Sequence, residues 1–193
     1  MNKMKKAAAV IVCFIVFLMG VKASDLMSNA ACGSYTNLSR YGNIEIYAHD
    51  GYNNEKAMLY LNDLKSLPKG LIENCDNIFF TNENLNEKFD LGIKTKVVAT
   101  SSGRDIYIST EYYDISVLVH ELFHVYDYAN DWISETNEFR ALYEEYKDEH
   151  EVSPGNFQTR YEFFASYGER FYLEKSALND DTLFAFFDNL NIF

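Results

Sequence analysis

Apolar and polar positions change their period along this chain. Over residues 43–48 (NIEIYA) they alternate, as on a half-buried strand. Over residues 53–67 they recur at helical spacing, with Ala57, Tyr60, Leu61 and Leu64 in register, and Pro68 with Gly70 ends the run. Residues 77–81 (NIFFT) have strand composition again, and residues 83–89 suit a short helix. The stretch KVVATSSGRDIYIST predicts two strands about a turn at Ser102 and Gly103, because Val97, Ala99, Ile106 and Ile108 alternate with polar residues. Beyond Tyr112 the period is helical, over residues 114–130, 135–149, 159–173 and 180–190. Strands first and helices after predict an α+β domain, a small sheet followed by a mostly helical C-terminal half.

The N-terminus follows a different pattern. Residues 1–6 carry three lysines and no acid, residues 7–21 are almost wholly apolar, and Val21 and Ala23 stand at −3 and −1 of a cleavage site before Ser24. That order predicts a secretory signal peptide over residues 1–23, with a single domain over residues 24–193. The apolar run is shorter than the ~20 residues that span a bilayer, which argues against an uncleaved anchor. Removing residues 1–23 takes away four lysines and no acid, so the formal charge moves from −12 to −16. Such a surface excludes nucleic acid as a partner and disfavours stable association with an anionic membrane; a neutral or cationic polypeptide is compatible with it. Of the three cysteines, Cys13 falls in the leader. Cys32 and Cys75 remain, and a disulfide between them or two buried thiols both fit an exported chain.

Within the first long helix lies VLVHELFHVYDY, residues 117–128, with two of the four histidines and a glutamate directly after the first. Residues four apart on a helix are separated by about 40° around its axis, so His120 and His124 share a face on which two imidazoles could hold one tetrahedral ion. Glu121 is offset by about 100°, at the rim, where a general base must stand to take a proton from metal-bound water. Chance alone would place H-E-x-x-H in roughly 0.7% of chains of this composition. Val117, Leu118, Val119, Leu122 and Phe123 make most sides of the helix apolar. Burying two imidazoles and a carboxylate there without a partner would cost several kcal/mol, on the order of the penalty for unpaired polar groups. One bound Zn2+ per chain removes that penalty.

Two imidazoles leave a catalytic zinc one protein ligand short. His49, in a strand-loop context, and His150, at a helix end, read as surface residues. Carboxylates on the following helices are Glu135, Glu138, Glu144, Glu145 and Glu162. Glu144 and Glu145 sit in a charge-rich stretch that reads as a solvated face. Glu162, in RYEFFASYGERF, is surrounded by aromatic residues, a setting that suits a carboxylate meeting a cation; Glu138 is the runner-up.

HELFHVYDYA, then TNEFRALYEEYKDE, then YEFFASYGERF resembles the catalytic domain of anthrax toxin lethal factor, and is similar to the small secreted Pro-Pro endopeptidases of the same fold. The likeness covers roughly the last 80 residues, and the E-F-F-A segment about forty residues after the motif is its more selective part. The resemblance implies a zincin-like metallopeptidase domain. It implies zinc ligands at His120, His124 and Glu162, with Glu121 as the general base. It also implies secretion, a substrate at or beyond the cell surface, and proline-rich specificity as one option. The family places an oxyanion-stabilising tyrosine seven residues before the ligand glutamate, whereas this sequence has Gly155 there and no tyrosine between His150 and Arg160. The expected function is therefore a secreted zinc-dependent endopeptidase. Its extended substrate is expected to lie along an edge strand from Arg104 to Thr110, just before the motif helix. The alternative is a secreted zinc-binding or inhibitory module with a relict, inactive site.

Overall fold

The alternation read at residues 43–48 forms a strand because it lets one side of the chain be buried while the other meets a second layer. The computed structural model describes residues 35–89, 96–148, 159–175, 181–190 and 192. The expected leader (residues 1–23), Cys32, His150 and Gly155 lie outside the described residues. The strands are β1 (Tyr35–Tyr41), β2 (Ile44–His49), β3 (Asn77–Thr81), β4 (Ala99–Ser102) and β5 (Asp105–Ser109). The helices are α1 (Asn54–Leu64), α2 (Lys69–Ile72), α3 (Leu85–Lys88), α4 (Ile115–Ala129), α5 (Asn137–Tyr146), α6 (Arg160–Leu173) and α7 (Asp181–Asp188). A 3-10 turn, Ile133–Glu135, joins α4 to α5. The protein is thus α+β, with one five-stranded sheet followed by helices.

The sheet order is β1-β2-β3-β5-β4, with parallel pairs β2–β3 and β3–β5 at its centre and an antiparallel hairpin at each end. Parallel neighbours need a crossover, and α1 with α2 supplies the one between β2 and β3. Register explains the two layers. Ile46, Ile78 and Ile106 stand side by side and join the main core with Tyr60 and Leu64 of α1 and Val117, Leu118 and Leu122 of α4. One residue on, the pleat sends Tyr47, Phe79 and Tyr107 to the other face, where their rings stack at 5.1 and 4.6 Å. Leu85 of α3 and Val97 bury Tyr107 there in a second, smaller core.

The hairpin expected at Ser102 and Gly103 forms: Ser102 pairs with Asp105, and Gly103 has φ +62° at the first loop position, the type II′ pattern. No helix among the described residues is long and apolar enough to cross a membrane. Cys75 is a buried free thiol, and burial pushes its pKa up.

One expectation is corrected here. The segment from Arg104 to Thr110 is not an edge. As β5 it hydrogen-bonds to β3 on one side and β4 on the other, so its backbone donors and acceptors are already used and cannot receive an added strand. Among the described residues the outermost strands are β1 and β4, and Ala99, Thr100 and Ser101 of β4 are buried.

The helix carrying the histidines packs directly on α6, and the approach needs a glycine. A Cβ on Gly168 would lie 2.4 Å from Cδ1 of Phe123, whose ring is fully buried and has nowhere to move. Gly168→Ala should therefore destabilise the fold by about 1–3 kcal/mol, typical of an overpacked core. Urea unfolding against the wild type checks this, and an unchanged midpoint would contradict so close a contact.

Candidate metal centre

Helix α4 begins where the Asp114 side chain accepts from the Ser116 amide at 2.9 Å, and every residue from Val117 to Asp127 is buried. The apolar residues on most of its sides drive that burial, and they carry His120, Glu121 and His124 inside with them. His120 and His124 are 3% and 2% exposed and Glu121 is fully buried.

Helix α6 supplies the third group. Its sequence T-R-Y-E is the start signal in which Thr159 caps the helix, accepting from the Glu162 amide at 3.3 Å. In such a signal the glutamate side chain commonly turns back to the cap. Here it turns to the histidines instead: Oε2 of Glu162 lies 3.4 Å from Nε2 of His120, and Oε1 lies 3.5 Å from Nε2 of His124. The two Nε2 atoms are 3.0 Å apart. Burial would raise the Glu162 pKa, but the imidazoles of His124 and His120 more than reverse it and hold the carboxyl at about 2. Burial would likewise lower His120, and its hydrogen bonds with Glu162 and Glu169 overcome this, raising it to about 10. Glu121 adds to that field from the next position along the helix.

These residues fit a metal ion. One donor atom from each of His120, His124 and Glu162 falls within a 4.8 Å cluster, and all three residues are buried. Two imidazole lone pairs facing each other at 3.0 Å repel unless a proton or a cation stands between them. Two imidazole nitrogens and one carboxylate oxygen are donors that a divalent metal ion takes.

The other carboxylates stand elsewhere. Glu138, Glu144 and Glu145 are exposed on α5. Glu135 accepts from Arg160 at 2.7 Å and also from Arg140 and Tyr161. Burial raises its pKa, and those donors outweigh that and hold it at about 2. His49 ends β2, its Nδ1 2.9 Å from the carbonyl of Asp50 and its Nε2 3.7 Å from Glu83.

Three features of this region were not assigned from the sequence. Asp127 is fully buried and accepts from the amide and hydroxyl of Ser134 at 2.7 and 2.6 Å. That bond anchors the reversal after α4, where Asp131 and Trp132 both take left-handed backbone conformations with φ +57° and +61°. Glu135 then ties the same segment to Arg160 and Tyr161, the two residues before Glu162. Both links fix where α6 begins relative to α4. The third is Glu169, whose Oε2 lies 3.3 Å from Nδ1 of His120. Its spacing of seven from Glu162, two turns on the same helix face, is the signal that could have found it. Compared with known proteins, the chain matches no family model and no curated protein.

Proposed function

We propose that this protein is a secreted zinc-dependent endopeptidase with a zincin-like domain, of the kind its sequence resembles. The observation that carries the reading is the convergence of His120, His124 and Glu162 from two separate helices on one buried point. The resemblance anticipates the same three residues, and Glu121 stands beside them.

When bound, zinc supplies Lewis acidity, lowering the pKa of a water and polarising the scissile carbonyl. The chain's own residues do the rest. His120, His124 and Glu162 would hold the ion, and the neighbouring imidazoles keep Glu162 ionised against the effect of burial. Glu121, one residue beyond His120, accepts the proton of the attacking water and returns it to the leaving amine. No residue is assigned to the oxyanion, since Gly155 occupies the position at which the family carries its tyrosine. The acidic surface suits a neutral or cationic polypeptide, and the leader-like order of residues 1–23 supports a substrate outside the cell.

The test is a peptide-library screen on the chain from Ser24 onward, with proline-rich sequences included, in the presence and absence of a chelator. Expected are about one zinc per chain and cleavage abolished by chelation. Chelator-insensitive cleavage would exclude the mechanism. Tight zinc binding with no cleavage anywhere in the panel would leave the relict binding module as the better reading.

A further inference from the structure

Each imidazole has two nitrogens, and a metal uses only one of them. For His120 the structure separates the two: Nε2 faces Glu162 at 3.4 Å and His124 at 3.0 Å, while Nδ1 points the other way, to Glu169 at 3.3 Å. His120 has a side chain only 4% exposed, so it cannot turn to water to satisfy Nδ1. Glu169 is 24% exposed and so reaches in from the rim of the site. Among the described residues its one hydrogen-bond or ion-pair partner is His120; the adjacent Arg170 pairs with Glu174 instead, at 3.8 Å. Glu162 and Glu169 are seven apart, so one face of α6 presents a carboxylate to each nitrogen of the same ring. His124 has no such support: its Nδ1 is buried without a hydrogen-bond partner among the described residues.

We infer that Glu169 is the positioning residue of the metal centre, accepting a hydrogen bond from Nδ1–H of His120 so that Nε2 presents its lone pair to the ion. This rests on the zinc reading above and assigns a role within it. A carboxylate behind a ligating histidine fixes the ring's tautomer and orientation and raises its basicity, and its loss weakens metal binding by about 10–100-fold. Glu169 touches neither the ion nor the substrate. Its effect is transmitted through His120 alone, which makes His120 the better-oriented of the two imidazoles.

The experiment compares wild type, Glu169→Ala, Glu169→Gln and His120→Ala. Zinc affinity is measured by competition with a chromophoric chelator, the visible spectrum is recorded with Co2+ in place of zinc, and the metal-free proteins are checked by circular dichroism. Wild type should bind one zinc, and Glu169→Ala should bind it about 10–100-fold more weakly with an unchanged metal-free spectrum. Glu169→Gln keeps an acceptor oxygen, so it should fall between the two, and the Co2+ bands of the alanine variant should shift as the ring loosens. A merely structural glutamate would change neither the bands nor the order of the variants. If wild type binds zinc, His120→Ala does not, and Glu169→Ala binds within about twofold of wild type, this inference is wrong while the metal centre stands. If wild type binds no more zinc than His120→Ala, the metal reading itself fails and this role goes with it.

Discussion

Glu121→Ala is expected to leave zinc bound and to lower peptide cleavage by at least about a hundredfold. A positioned general base is typically worth 10²–10⁴-fold, and the effect should sit near the upper end where water cannot substitute for it. Glu121 is fully buried, and its neighbours along the helix, Val119, Leu122 and Phe123, are buried too. The clustered donor atoms come from His120, His124 and Glu162, not from Glu121. Alanine at this position therefore keeps the cluster and removes only the proton acceptor. The helix should tolerate the change, since alanine is the best helix former. The assay needs cleavage rates and zinc content from the same samples. Equal cleavage by both proteins would remove Glu121 from the mechanism, and a matching loss of zinc would recast it as a structural support of the centre.

How far this site could be read in advance depended on how local each signal was. The histidine pair is a local signal: spacing of four on an apolar helix fixes their shared face, and α4 spans Ile115–Ala129 within the expected residues 114–130. The strand at Asn77–Thr81 and the turn at Gly103 were equally local, one in composition and the other in a positive φ. β1 was not legible. Its YTNLSRY has no alternation and its middle five residues are exposed, so it is held by pairing with β2 rather than by burial. The position of β5 was lost for a related reason. An alternating strand pattern states which face is covered, not which strands flank it, and the parallel partner β3 lies 28 residues earlier at the Asn77–Asp105 pair. Glu162 stands between these cases. Its aromatic surroundings made it a candidate, but only the packing of α6 on α4, through Gly168 against Phe123, brings it to the histidines. Glu169 and Glu135 act entirely across such contacts, which neither period nor composition records.

Glu162→Gln is the sharpest test of that packing, and it should weaken zinc binding by more than the 10–100-fold typical of a residue behind a ligand. Glutamine keeps the shape of the side chain, so the aromatic residues around it (Phe163 and Phe164 beside it on α6, both buried) have no cavity to fill. What changes is chemistry. The carboxylate offers one oxygen to each Nε2, at 3.4 and 3.5 Å, and it brings the negative charge that a buried dication requires. An amide brings no charge, and its NH2 can donate to the imidazole lone pair that the ion must use. Both effects oppose the metal. Glu138→Gln is the matched control, because Glu138 is exposed in the first turn of α5 and should leave zinc affinity unchanged. Chelator competition on the two variants side by side decides the assignment. A strong loss in Glu138→Gln with none in Glu162→Gln would mean that α6 does not meet α4 in this register. Equal, small losses in both would mean that His120 and His124 hold the ion with a third group from elsewhere in the chain.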